Sequence, residues 1–307
     1  MKKSLFLLFS SVLSILIVSC NGFQDAYKYA VVVAVHYFSD MNFAMNYPGV
    51  QTKVSGNLFE AGDTVGIYVT KYSESEMPLP LQYAGNHANN IATIYSGAQW
   101  IPNVRIYWPD VNVDVYGYYP YTHIVSVEEQ PFSVALDQSV PANGATMSTY
   151  EASDFLWAKS NDVNKDSNSG GPVVLTFSHR LSKIVIKLLK GENFSGTFSD
   201  DMDIFIHNTV PEAKINLANG AVVKDQAGYP QTIKCRRVSE DTFEALIVPQ
   251  KISYRLPLIE IVTQGISFLV EDTFNFKPGV QHTINVTLNS SPEQIIIDIG
   301  GEVEGWQ

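Results

Sequence analysis

Cys20 is the residue with the clearest chemistry in this sequence. It closes the run Ile17-Val18-Ser19-Cys20, which has the form of a bacterial lipobox. In such a motif the thiol takes a diacylglycerol, and the cysteine becomes the first residue after cleavage. Lys2 and Lys3 give a positive start, and Leu5–Val18 is apolar, broken only by serines. The run is shorter than the ~20 residues a spanning helix needs, so residues 1–19 read as an export signal. Three acyl chains, each gaining about 0.8 kcal/mol per buried CH₂, would hold the protein on a membrane. The other cysteine, Cys235, then has no disulfide partner and reads as a buried or idle thiol.

Other candidates for chemistry are weaker. Asp162, Asn164 and Asp166 have the spacing that opens a calcium loop, but Ser167 stands where the turn glycine belongs and Val173 where a bidentate Glu belongs. The stretch reads as a solvated linker. The six histidines, His36, His87, His123, His179, His207 and His282, never pair at metal-ligand spacing, so no metal is expected. His179 and His207 read as strand or turn residues. There is no G-x-S-x-G, no H-E-x-x-H and no phosphate loop. No catalytic residue and no cofactor are therefore assigned, and the chain is not expected to be an enzyme. Trp100, Trp108, Tyr118 and Tyr119 admit two readings, a sugar-stacking platform or core packing.

The elements that would carry these residues are strands. Of 307 residues, 45% are apolar and 17% charged, enough for a real core. The net charge is −11, and Lys2 and Lys3 lie in the leader, so the remainder is more acidic still. That excludes nucleic acid as a partner. Strand signals recur at Tyr29–Phe38, Thr64–Tyr72, Val104–Trp108, Val111–Tyr119 and Ile124–Val127. They continue at Val173–Phe177, Lys183–Leu189, Asp203–His207, Ala213–Leu217, Thr242–Val248, Leu256–Val262, Ile266–Val270, His282–Leu288 and Gln294–Ile299. Many short strands separated by Gly, Pro, Asn and Asp predict an all-β protein of sandwiches. The polar stretch Ser160–Pro172 divides it into two halves, each the size of one sandwich.

Both ends of the body invite attention. Ile295, Ile297, Ile299 and Val303 share one face of a last strand by period two. An apolar strand there can recruit other chains, or be donated to a partner's sheet. Near the other end, the apolar Tyr29–Phe38 is followed by a loose stretch, Asp40–Lys53. Cutting that stretch would release the first strand and open an apolar groove. The alternative is that both are ordinary strands packed in their own domains, and the residues alone leave the two readings even.

A family resemblance bears on that choice. The lipobox is followed by Phe59-Glu60-Ala61-Gly62-Asp63-Thr64-Val65-Gly66-Ile67-Tyr68. Next come Tyr107-Trp108-Pro109 and Val113-Asp114-Val115-Tyr116-Gly117-Tyr118-Tyr119-Pro120. Phe177-Ser178-His179-Arg180-Leu181-Ser182-Lys183-Ile184 and Phe276-Lys277-Pro278-Gly279 complete the set. In order and spacing the sequence resembles the fimbrillins of Bacteroidota, the lipoprotein-derived subunits of type V pili. The resemblance implies two transthyretin-like β-sandwich domains in tandem, at 54–165 and 166–307. It also implies lipidation at Cys20, a removable segment at 20–53, and polymerisation by donation of the terminal strand bearing Ile295, Ile297, Ile299 and Val303. Relatives carry an arginine after a threonine near residue 53; here the pair is Thr52-Lys53, and no arginine lies between Cys20 and Arg105. Cleavage would then be at Lys53 by a lysine-accepting protease, or the chain stays uncut as an anchor or minor subunit. Asp63-Thr64-Val65 matches the pattern at which these bacteria attach O-glycans, to Thr64. The implied partners are other pilus subunits, the outer membrane through the lipid, and a host or bacterial surface receptor. The implied location is the cell surface. A surface glycan-binding lipoprotein is the alternative.

Overall fold

The computed structural model describes residues 39–47, 59–144, 146–167, 170–192, 194, 197–288, 296–298 and 302–305. The expected strand Tyr29–Phe38 lies outside them.

In chain order the strands begin with β1 (Phe43–Asn46), β2 (Thr64–Lys71), β3 (Ala88–Tyr95), β4 (Trp100–Pro102), β5 (Val113–Tyr119) and β6 (Gln130–Ser133). After the short helix α1 (Thr149–Ala152) come β7 (Leu156–Val163), β8 (Val173–Thr176), β9 (Ser178–His179), β10 (Ser182–Lys190), β11 (Asp203–Thr209), β12 (Glu212–Asn216) and β13 (Ala221–Lys224). The series ends with β14 (Gln231–Lys234), β15 (Arg236–Arg237), β16 (Thr242–Ile247), β17 (Gln250–Thr263), β18 (Ile266–Phe276), β19 (Val280–Leu288), β20 (Ile296–Asp298) and β21 (Glu302–Gly305). The protein is all-β, as its sequence indicates.

A sheet ordered β4-β3-β2-β5-β7-β9 occupies the N-terminal part, and β1 pairs with β8 in a parallel ribbon. Further on, β15-β16-β10-β19-β20 form one sheet, with β21 also on β19, and β14-β11-β17-β18 form another. The central strands β2 and β5 are buried on both faces. That is why their sequences, TVGIYVTK and VDVYGYY, are nearly continuous in apolar and aromatic residues. By contrast β19 alternates, with Ile284, Val286 and Leu288 inward.

The described residues belong to one compact unit, 38–307, which contains two apolar clusters. The first gathers Met41, Phe43, Val65, Trp100, Leu175 and Phe177. The second includes Ile184, Ile204, Phe243, Leu246, Ile284 and Val286. Gly66 is fixed by packing: a Cβ there would lie 2.1 Å from Cε1 of Tyr118. That ring is held in turn by hydrogen bonds from its hydroxyl to Asn90 Oδ1 (2.6 Å) and the Thr122 carbonyl (2.9 Å).

Two expected strands are replaced. Val104–Trp108 is not a strand; β4 lies just before it and ends at Pro102, which has no N–H with which to continue a ladder. Ile124–Val127 is a turn, because the Gln130 carboxamide oxygen accepts the Val125 N–H at 2.8 Å and offers the backbone another partner. The polar stretch Ser160–Pro172 is shorter than its composition suggests. β7 runs through Val163, and both β8 and β9 pair with N-terminal strands, β1 and β7.

Candidate functional site

The stretch Asp40–Lys53 is expected to be loose, and over its described part, 40–47, that expectation is corrected. β1 and the extended residues on either side of it are laid into the first apolar cluster, with main-chain bonds on two sides. Trp108 donates its N–H to the Ser39 carbonyl (2.9 Å), and Met41 donates to the Ile106 carbonyl (2.8 Å). On the other side Val173 donates to the Asn42 carbonyl (2.7 Å) and Phe177 to that of Asn46 (3.0 Å). The β1–β8 register sets Phe43 opposite Val173 and Met45 opposite Leu175. Met41 is 2% exposed and Phe43 6%, and burying each stabilises the seat by roughly 1.5–3 kcal/mol. The signal was present in the sequence: Met41, Phe43, Met45 and Tyr47 alternate with polar or small residues. It was masked by the flanking Asn, Asp, Pro and Gly.

At its C-terminal end this strand meets an aromatic hub. Phe59 stands edge-on to Tyr47 (5.1 Å), Trp100 (4.9 Å), Tyr119 (5.6 Å) and Phe177 (5.5 Å). Two polar residues reach the same place by different routes. Asp154 follows α1, whose start is fixed by a capping box between Ser148 and Glu151. His179 lies on β9, and the Leu156↔His179 register brings it beside Asp154. Their Oδ1 and Nδ1 atoms are 3.0 Å apart. Burial, then the Asp154 charge, pushes the Tyr47 hydroxyl well above the ordinary tyrosine range, so it remains a proton donor. Asp154 and His179 are separated by 25 positions, and no local motif announces their meeting.

Removing Ser39–Tyr47 would leave a trough with the Val173 and Phe177 amides and the Ile106 carbonyl unpaired along its walls. Such a trough is complementary to one more β-strand.

The tail forms the second part of the site. β20 and β21 both lie antiparallel to β19, with Ile297 opposite Val286 and Val303 opposite Gln281. The described tail residues thus rest on their own chain's sheet, at its edge. Ile295 and Ile299 lie outside the described residues, as do Cys20 and Lys53. Thr64 opens β2, half-buried, with its hydroxyl donating to the Gly62 carbonyl at 3.1 Å. The four aromatics offered as a sugar platform are buried: Trp100 and Trp108 at 9% exposure, Tyr119 at 6% and Tyr118 at 2%. They present no stacking surface, because each packs inward from its strand or loop. The Asp162–Asp166 loop is tied up internally, with Asn112 bonded to both Asp162 (2.6 Å) and Asn164 (3.0 Å).

The family model described as fimbrillin-like matches residues 52–306. The chain belongs to the fimbrillin-like family. This is a family of fimbrial structural proteins of the cell surface rather than of known enzymes. In fold, this fimbrillin-like chain is similar to a candidate cell adhesion protein of Bacteroides ovatus. The TM-score is 0.67 at 16% identity, covering 89% of this chain and 99% of that one. A second candidate cell adhesion protein, from Bacteroides uniformis, gives 0.61 at 17% identity, covering 88% and 98%. No curated protein matches the sequence. No helix among the described residues of the fimbrillin-like chain is long and apolar enough to cross a membrane.

Proposed function

We propose that this fimbrillin-like chain is the polymerising subunit of a surface pilus. It is exported as a lipoprotein through Cys20, cut after Lys53, and joined to the next copy by strand donation. The observation that carries this reading is the place of Ser39–Tyr47: a core strand that precedes the candidate cut. A cut at Lys53 severs its covalent tie to the body, and departure of the strand empties a slot with hydrogen-bonding groups on both walls. The tail strand with Ile295, Ile297, Ile299 and Val303 is the candidate guest. Among the described residues its present seat on β19 consists of two short pairings, of three residue pairs each, a modest hold to exchange for a groove. Two tandem sandwiches are the corresponding organisation, sharing apolar contacts across their boundary: the larger cluster joins Tyr68, Tyr118 and Phe155 to Ile184 and Ile284. A contact of this kind runs head to tail and does not close, so it builds a filament. Thr64 is the candidate O-glycan acceptor.

Ile297→Asp tests this reading. The expected result is a monomer melting within a few degrees of wild type and no high-mass ladder on an unboiled gel. Ladders at wild-type yield would refute donation through this segment. One observation favours a second reading, an uncut anchor or minor subunit: the absence of arginine between Cys20 and Arg105. N-terminal sequencing of the surface-exposed form separates the two.

A further inference from the structure

The residue just after β1 makes a contact that neither backbone pairing nor apolar packing requires. Tyr47 donates its hydroxyl to Asp154 Oδ2 at 3.3 Å, and its ring stands edge-on to Phe59 at 5.1 Å and to His179 at 5.7 Å. Asp154 and His179 are 5% and 4% exposed. One carboxylate oxygen is therefore served by His179, from the body of the protein. The other is served by the segment that precedes Lys53.

Resting on the strand-exchange reading above, we infer that Asp154, His179 and Phe59 form a selective socket in the groove. The socket takes an aromatic side chain bearing a hydrogen-bond donor, and its guest is Trp306 from a second copy of this chain. An aliphatic guest fills part of the space but leaves Oδ2 buried without its donor. A phenylalanine restores the ring contacts and not the bond. Leaving a buried acceptor unserved is worth roughly ten-fold or more in affinity. Ile295, Ile297, Ile299 and Val303 carry no donor. After β19, in residues 289–307, the sequence contains one residue of the required type, Trp306, whose indole N–H donates only. By strict alternation, position 306 is out of phase with Val303. The tail's pairing with β19 shows how it returns to phase: Gln281 faces Val303 while the adjacent Val280 faces Gly305, so one extra residue is absorbed between them.

Two measurements test the socket. In the intact chain, Tyr47→Phe is expected to speed amide hydrogen exchange over residues 41–47 about ten-fold, while Tyr47→Trp stays near wild type. Unchanged exchange in Tyr47→Phe overturns the socket. The chain is then nicked at Lys53 by limited lysine-specific proteolysis, with its N-terminal segment still bound. Synthetic peptides of residues 294–307, native or with Trp306→Phe, compete for the groove, and the released segment is read by mass spectrometry. The native peptide is expected to act at about one-tenth the concentration of the variant. Equal potency overturns the assignment of Trp306. Release by neither peptide, with the Tyr47→Phe effect intact, means that strand exchange itself fails, and the second-copy partner with it.

Discussion

Phe43 and Val173 face each other across the parallel β1–β8 pair, 6% and 0% exposed, although 130 positions separate them. A segment before the candidate cut is thereby part of the core. Phe43→Ala is expected to lower stability by about 3–5 kcal/mol, because the surrounding β8 and β5 side chains cannot collapse fully into the space. Chemical denaturation of the intact chain checks this. A loss below about 1 kcal/mol would show that the strand is peripheral.

If Lys53 is where the chain is cut, Lys53→Ala preserves the longer form at the surface. Intact-mass measurement of surface-released protein reads this directly. An N-terminus identical to that of wild type places the cut elsewhere.

Much of the fold was legible because period-two alternation survives in strands with one wet face, as in β12 and β19, and because strands buried on both faces, such as β16, read as short apolar runs. β10, β12, β16 and β19 fall within a residue or two of their expected bounds. β3 was not expected: ANNIATIY is polar at its start and pairs with β2 through a register shift. β1 was obscured by its Asn-rich setting, although Met41, Phe43 and Met45 alternate correctly. The partners of the candidate site could not be read at all. Asp154 is placed by a capped helical turn and His179 by a two-residue strand, so their meeting is a property of tertiary pairing alone. Trp100 and Trp108 show the converse: aromatic residues that composition leaves ambiguous are decided by burial.

Gly66 lies beneath Tyr118, and a Cβ would come within 2.1 Å of one ring carbon and 2.4 Å of the next. The ring cannot swing away without losing its bonds to Asn90 and Thr122. Gly66→Ala should therefore destabilise the chain by about 1–3 kcal/mol. The double variant Gly66→Ala, Tyr118→Phe should recover part of the loss, since a ring freed of its bonds can shift. A single variant as stable as wild type in a thermal melt would contradict the packing.

Glu244 on β16 is buried, at 5% exposure, with Lys183 Nζ 2.7 Å from its Oε2 and the Arg236 guanidinium on its Oε1. Burial alone would raise its pKa, but the Lys183 and Arg236 charges outweigh it and hold the carboxyl below its ordinary value of 4.5. A carboxyl depressed in the folded state contributes stability above pH 4.5 that is lost as pH falls through the lower folded value. Glu244→Gln should cost about 2 kcal/mol at neutral pH. That is less than the ~3–5 of a wholly buried pair, because Lys183 and Arg236 remain partly exposed. The gap between variant and wild type should then narrow steadily as pH drops below 4.5. Melting temperatures of both proteins between neutral and acid pH measure this. A gap that stays constant across that range would mean that Glu244 stabilises the fold without its charge.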